Sequence, residues 1–208
     1  MFPGPGEPAA GPWLAESMET VVEALLDDGF SRGAGPRVIA VDGRGGSGKT
    51  TFASSLAAFV EGAAVVHTDD VAWWHSRFDW ADAMIDGILK PLRAGEDVHF
   101  TPPGWAAHGR TGEIFVPASA PVVIVEGVGA SRRELARYID VAVWVQTDFD
   151  AARAQGLKRD LVEKGLSQED AEREWDEWMA EEIPFLLSDQ PWRRADLIVP
   201  GFGEFQVA

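Results

Sequence analysis

The stretch Gly43-Arg44-Gly45-Gly46-Ser47-Gly48-Lys49-Thr50 decides the fold of this chain. It follows the apolar run Val38–Val41 and opens a helical candidate from Lys49 to Val60. Every fixed position of G-x-x-x-x-G-K-[ST] is met. Glycines at these places let successive backbone N–H groups curl around phosphate oxygens, and the following helix turns its positive end toward them. The pattern assigns nucleotide contacts to Gly43, Gly45, Gly46, Ser47, Gly48, Lys49, Thr50 and Thr51. Lys49 belongs between the β- and γ-phosphates and the Thr50 hydroxyl on Mg2+. The same glycines satisfy the dinucleotide pattern G-x-G-x-x-G, with Asp69 or Asp70 about twenty residues beyond Gly48. That pattern alone is weak, and the Lys49-Thr50 pair after a strand makes the phosphate loop the specific reading.

Outward from the loop, short β-branched runs alternate with helical stretches. The runs are Val38–Val41, Ala64–His67, Val122–Val125, Val141–Val145 and Leu197–Val199. Continuous apolar runs of this length suit strands buried on both faces of a parallel sheet. Helices are expected over Leu14–Leu26, Lys49–Val60, Ala81–Arg93, Arg132–Arg137, Phe149–Lys164 and Gln168–Leu187. Gly29 reads as a stop and Phe30–Pro36 as a loop. Strand–helix alternation implies right-handed crossovers and an α/β three-layer P-loop fold, with helices on both faces of a mainly parallel sheet and a short helical lid. Residues 1–12, rich in Pro, Gly and Ala, read as a flexible tail. Residues 1–33 are expected to form a tail and helix packed on a kinase-sized unit spanning 34–208, one domain overall.

Composition narrows the chemistry. The chain has 208 residues with 34 acidic against 18 basic side chains, a net charge of −16. A nucleic-acid binder needs a basic face, so nucleic acid is excluded as a partner, and an anionic membrane for the same reason. No cysteine is present, which removes thiolate metal sites and cysteine catalysis. No apolar run approaches the ~18 residues of a membrane span. The opening MFPGPGEPAAGPW has no secretory pattern, so a cytoplasmic location is expected. The acidic segment Ser167–Glu182 reads as a solvated face over a core stripe of Trp175, Trp178 and Met179, with Ser167 and Asp170 as its cap.

Among phosphate-loop proteins, a GTPase would show Asn/Thr-Lys-x-Asp, yet the chain holds no Asn. No LSGGQ-like transporter signature occurs, and Val122–Glu126 ends in a single acid where ring ATPases carry two. A small kinase needs a carboxylate near the γ-phosphate and a basic segment over it. Asp69 and Asp70 close the Ala64–His67 run, at the end where parallel sheets bind ligands. From an extended chain only one of the two can face the site. Glu126 closes the next strand as a Mg2+ partner, and Arg159 and Lys164 sit where a lid is expected.

From Arg37 to Gly201 the chain resembles the uridine kinase and phosphoribulokinase branch of P-loop kinases. The carriers are VIAVDGRGGSGKTT, His67-Thr-Asp69-Asp70, Phe78-Asp79-x-x-Asp82, His108-Gly-Arg110, Val123-Ile-Val-Glu126-Gly127, Thr147-Asp-x-Asp150, Lys158-Arg159-Asp160-x-x-Glu163-Lys164-Gly165 and Arg194-Ala-Asp196-Leu-Ile-Val-Pro200. The resemblance implies ATP and Mg2+ as cofactors and Asp69 as general base, also near the metal. It implies Asp79 on ribose hydroxyls, His108 on the base and Thr50 with Glu126 on Mg2+. Arg110 and Trp105 are further acceptor-side candidates, and Arg159 with Lys164 are expected to offset charge on the transferring phosphoryl group. Departures fall on the acceptor side. Val71-Ala72 and then Trp73-Trp74-His75 stand where the family has Phe-Tyr, and Pro103-Gly104-Trp105 where it has Tyr-Asp-Phe. The paired lid arginines become Gln155-Gly156. Trp73, Trp74, Trp80 and Trp105 could rebuild a stacking pocket or fill core.

The expectation is a Mg-ATP-dependent phosphotransferase acting on a hydroxyl of a small molecule, uridine or cytidine by resemblance. A non-nucleoside alcohol is the runner-up acceptor: a vitamin precursor, a sugar or a natural product. A nucleotide-binding regulator with little turnover is the second class. Nothing in the sequence excludes a homo-oligomer.

Overall fold

The computed structural model describes residues 1–27, 35–73, 75–201 and 206–207. The expected stop at Gly29, most of the loop 30–36, the 33/34 boundary and Trp74 lie outside them. Five strands, β2 (Arg37–Gly43), β3 (Ala64–His67), β6 (Val122–Glu126), β7 (Val141–Gln146) and β8 (Leu197–Pro200), make one sheet in the order β3-β6-β2-β7-β8. All four pairings are parallel. The chain fills one side of β2 with β3 and β6, then crosses to add β7 and β8 on the other. In such sheets ligands sit beyond the strand C-termini around that crossing, where β2 delivers its glycine loop.

Strand side chains alternate between two buried faces. Ile39 and Val41 of β2 point toward α1 (Met18–Leu25) and α2 (Lys49–Phe59), meeting Val21, Leu25, Phe52 and Leu56. Val38 and Ala40 point the other way. They meet Met84, Ile88 and Leu92 on α4 (Ala81–Met84), a π-turn (Ile85–Leu89) and α5 (Lys90–Ala94), and Val98 and Val116 of the hairpin β4 (Val98–Phe100)–β5 (Ile114–Val116). Helices on both faces make this the three-layer α/β fold. Beyond the sheet, α7 (Phe149–Glu163) and α8 (Gln168–Asp189) form an antiparallel pair around Leu157, Trp175 and Met179. Gly156 is what lets them meet, since a Cβ there would lie 1.9 Å from the Trp175 ring.

Three expectations need correction. The first helix starts at Met18, because the Ser17 hydroxyl accepts from the Thr20 N–H (3.1 Å) and caps it there. Leu14–Ala15 instead form β1, paired antiparallel with β9 (Gln206–Val207). The stretch Arg132–Arg137 holds only a 3-10 turn at Ala136–Tyr138. Six residues are too few to sustain a helix without outside support, and here the local groups turn outward. Arg132 Nη1 donates to the Phe78 carbonyl (2.6 Å) and the Arg133 N–H to Asp189 (3.0 Å).

The third correction concerns the N-terminal segment, which composition marks as a flexible tail. The Phe149 N–H donates to the Phe2 carbonyl (2.9 Å), and Glu7 is buried among β7 and the phosphate loop. Arg44 Nε donates to Glu7 Oε2 (2.9 Å), while Trp144 Nε1 (2.6 Å) and Gln146 Nε2 (2.7 Å) donate to Oε1. Pro and Gly leave the segment little internal structure beyond one turn, closed by the Glu7 N–H on the Gly4 carbonyl (3.1 Å), and this buried ion pair fixes it from outside. Removing one partner of a buried pair strands the other charge, at a cost of about 3–5 kcal/mol. Glu7→Ala should therefore lower the thermal midpoint by roughly 10 °C. A midpoint within ~2 °C of the parent in calorimetry would show the pair to be dispensable.

Candidate active site

The C-terminal ends of β2, β6 and β3 lie in register, with Val41 opposite Glu126 and Glu126 opposite His67. Gly43 ends β2, the loop turns, and α2 begins at Lys49 behind Gly48. Gly46 carries φ of +73°, and a Cβ on it would stand 2.1 Å from the Ala152 carbonyl of α7. Only glycine fits there, so α7 can press directly against the loop. Asp42 fastens the end of β2 by accepting from the Gly129 and Ser131 N–H groups (2.8 and 2.9 Å).

Lys49 Nζ folds back over the loop to the Arg44 carbonyl (3.4 Å). The Ser47 hydroxyl is buried with no hydrogen-bond partner among the described residues. Thr51 follows on the exposed first turn of α2. An orphaned hydroxyl on this loop suits a phosphate oxygen.

Thr50 Oγ1 donates to Glu126 Oε1 (3.0 Å), and His67 Nδ1 donates to Glu126 Oε2 (2.7 Å). Burial alone would push the Glu126 carboxyl up. The His67 hydrogen bond, the Lys49 charge and the Thr50 hydrogen bond outweigh it and hold the group below the usual carboxylate range. His67 is raised in return, chiefly by that same hydrogen bond. Two hard oxygens from Thr50 and an ionised Glu126 match what Mg2+ takes from a protein when phosphates and waters supply the rest. Among the described residues no group of three or more His, Asp or Glu is built to hold a metal unaided.

Asp69 and Asp70 are not on an extended chain. They fall in the first turn of α3 (Thr68–Ala72), where neighbours diverge around the helix. Asp69 opens into a cleft of about 460 Å³ lined also by Ala72, Trp73, His75, Ser76, Arg77 and Trp178. Asp70 turns away: Arg110 Nη2 donates to its Oδ1 (2.7 Å), and Trp105 Nε1 to its carbonyl (2.8 Å). The Arg110 guanidinium lies 3.5 Å from the Trp105 ring centroid and 4.4 Å from that of Trp73. Trp105, on α6 (Pro103–Ala107), is 4% exposed and offers no open face for stacking. Trp80 is core, 1% exposed, leaving Trp73 as the described tryptophan of that group on the cleft.

Other expected residues stand apart. Asp79 is exposed, its backbone N–H donating to Ser76 Oγ (3.0 Å), and His108 is exposed at the end of α6. Neither lines the Asp69 cleft. Arg159 pairs with Asp160 (2.9 Å), and Lys164 with Asp160 (3.2 Å) and Glu174 (3.0 Å). Both lid cations are thus engaged within the α7–α8 pair rather than on the loop.

Several residues of the site are not legible as such in the sequence, among them His67 on Glu126 and the cleft residues His75, Ser76, Arg77 and Trp178. Glu182, which the sequence places on a solvated acidic face, is fully buried on the phosphate loop. Its Oε1 accepts from the Gly45 N–H (2.6 Å) and the Trp178 indole N–H (3.1 Å). Burial pushes its carboxyl up, against those hydrogen bonds and the charges of Lys49 and Arg44. The signal was present: Glu182 falls on the stripe Trp175–Met179–Leu186 at helical spacing, where the pattern calls for an apolar side chain.

Comparison with known proteins gives the family and the fold. Residues 82–208, more than half of the chain, match the Phosphoribulokinase / Uridine kinase family. The chain is similar to a uridine kinase of Chloroflexus aurantiacus, 28% identical over 192 residues, 83% of this chain and 90% of the relative. Among solved structures it is similar to a candidate fructose transport system kinase from Silicibacter sp. TM1040 (TM-score 0.57, 21% identity, 75% of this chain and 86% of the other). It is also similar to a possible uridine kinase from Bacillus stearothermophilus (TM-score 0.52, 18% identity, 86% and 95%). These two likenesses concern the fold.

Proposed function

The chain belongs to the phosphoribulokinase / uridine kinase family and is a P-loop kinase, and from that premise we propose that it moves the γ-phosphoryl group of Mg-ATP to a hydroxyl of a small molecule. The observation that carries this is one edge of the sheet: Lys49 over its loop, Thr50 on Glu126 (3.0 Å), and Asp69 opening into a cleft alongside. In that arrangement the loop N–H groups, Ser47 and Lys49 grip the phosphates. Thr50 and Glu126 would hold a Mg2+ ion, with His67 fixing the carboxylate's orientation. Bound there, the ion would supply positive charge to offset that of the phosphates. Asp69 orients the acceptor hydroxyl and takes its proton as the oxygen attacks the γ-phosphorus and the bond to the β-phosphate oxygen breaks, releasing ADP. Arg159 and Lys164 can assist only by leaving their present carboxylate partners.

Thr50→Ala tests the metal arm. It should raise the Mg2+ concentration needed for nucleotide binding by at least about tenfold, since even partners of a metal's ligands are worth ~10–100-fold in affinity. An unchanged metal requirement in a calorimetric titration would count against the assignment.

For the acceptor, the relatives suggest uridine or cytidine. A non-nucleoside or unselective acceptor is the second reading, and the cleft favours it. Asp79, His108, Arg110 and Trp105, carried over for nucleoside recognition, are not among the described residues lining it. Trp73 and Trp178 offer flat apolar walls that hold a ring without reading its edge. A site discriminates strongly when it hydrogen-bonds its substrate, by up to ~10⁴-fold, and the polar side chains on this cleft besides Asp69 are His75, Ser76 and Arg77 in place of the carried-over nucleoside contacts. Uridine is therefore expected to be a poor or unselective acceptor. Steady-state kinetics across nucleosides, sugars and ring alcohols check this. A kcat/KM for uridine or cytidine near ~10⁵ M⁻¹s⁻¹ with clear preference over purine nucleosides would overturn it. Nucleotide binding without acceptor-dependent turnover would favour the regulator instead.

A further inference from the structure

α8 crosses the phosphate loop, and the crossing is made by one carboxylate oxygen. Glu182 Oε1 accepts both the Gly45 N–H (2.6 Å) and the Trp178 indole N–H (3.1 Å). The approach is close: a Cβ on Gly45 would lie 3.0 Å from Trp178 Nε1 and 3.4 Å from Glu182 Oε1. Trp178 is also a wall of the Asp69 cleft, with the Phe78 ring braced against it at 5.2 Å. The same oxygen therefore touches the loop that receives the nucleotide and the side chain that bounds the acceptor. We propose that Glu182 is a positioning residue, which sets the distance between the acceptor cleft and the phosphate loop by holding Trp178 and Gly45 together. This rests on the kinase reading of the site given above.

Stability does not account for a carboxylate here. Its other oxygen, Oε2, is buried with no hydrogen-bond partner among the described residues. Burying a charged or polar group costs free energy unless it is fully paired, and an apolar side chain would continue the stripe of Trp175, Met179 and Leu186 more cheaply. What an apolar side chain cannot do is accept two N–H groups that belong to different halves of the site. Phosphoryl transfer requires the acceptor oxygen and the γ-phosphorus in line and near contact, and an error of ~1 Å can cost ~10²-fold in rate. A joint between the two pockets has that effect without touching either substrate.

The test uses nitrogen-15-labelled full-length protein with Mg-ADP as the probe, the Trp178 indole resonance being assigned through Trp178→Phe. Mg-ADP should shift the Gly45 amide and, through Glu182, the Trp178 indole. Glu182→Gln, whose amide oxygen can accept both N–H groups, should keep the paired shift, and Glu182→Ala should lose it at Trp178. With uridine as acceptor probe, Glu182→Ala should lower kcat at least ~10-fold and raise the uridine KM, while affinity for Mg-ADP changes less than ~3-fold. If Glu182→Ala does not fold, Trp178→Phe, which keeps a ring but loses the N–H, should show the same kinetic split.

Four results overturn the proposal while leaving the kinase reading in place. They are a wild-type Trp178 indole unmoved while the loop amides shift, a Glu182→Ala or Trp178→Phe enzyme with parental constants, a Glu182→Gln enzyme as impaired as Glu182→Ala, and Glu182→Gln binding Mg-ATP ~10-fold tighter than the parent. The last would mean that the carboxylate acts as an anion competing with phosphate. Absence of any shift at the loop would remove the nucleotide premise itself, and the proposal with it.

Discussion

Lys49→Ala should reduce phosphoryl transfer by at least ~10³-fold, the scale on which a single charge on a transferring phosphoryl group acts. It should also weaken ATP binding more than ADP binding. In the structure the ammonium rests 3.4 Å from the Arg44 carbonyl, folded over the loop. A weak contact to one carbonyl is easily exchanged for phosphate oxygens, so the lysine is poised without being locked. Its charge acts where the γ-phosphate's charge is greatest, hence the preference for the triphosphate. Isothermal calorimetry with ATP and ADP on both proteins decides it, and equal ATP affinity in parent and variant would sink the assignment.

The adjacent carboxylates should part company sharply. Asp69→Asn keeps the shape and removes the proton acceptor, so turnover should fall by at least ~10²-fold while Mg-ATP still binds. Asp70→Asn should cost far less. Its side chain faces Arg110 outside the cleft, a partly exposed pair whose loss is worth about 1 kcal/mol or less, and its carbonyl contact to Trp105 survives the change. Single-turnover rates alongside nucleotide affinities separate chemistry from binding. Should Asp70→Asn prove the more damaging, the acid on the cleft is not the base and the roles exchange.

The helical start of α3 shows how such distinctions arise. The sequence separates Asp69 from Asp70 by assuming an extended strand end, where alternate side chains point to opposite faces. The structure separates them by a helical turn begun at Thr68. The outcome is the same because neighbouring residues diverge in both conformations. Trp105 shows the opposite case. An indole near a site suits a ring ligand as well as it suits core, and only the position of Arg110 over its face tells which.

Wherever information is local, the amino-acid order alone determined the protein. The eight residues from Gly43 to Thr50 specify a phosphate loop because glycine spacing, a lysine and a hydroxyl meet a chemical demand within one turn of chain. The apolar runs specify five strands because burial on both faces leaves no polar alternation, and the three central ones, β6, β2 and β7, are buried almost throughout. Tertiary structure decided everything that depends on what arrives from elsewhere. Residues 1–12 look free because Pro and Gly carry no local structure, yet Glu7 finds Arg44, 37 positions away. Lys164 looks like a phosphate clamp until Glu174 meets it across the α7–α8 pair. Glu182 reads as one acid among eight and becomes the link to Gly45, 137 residues distant. A side chain's type fixes which partners it can accept, but its neighbours are set by chain crossings and by close approaches such as Gly46 under Ala152 and Gly156 under Trp175. Those are properties of the packed whole.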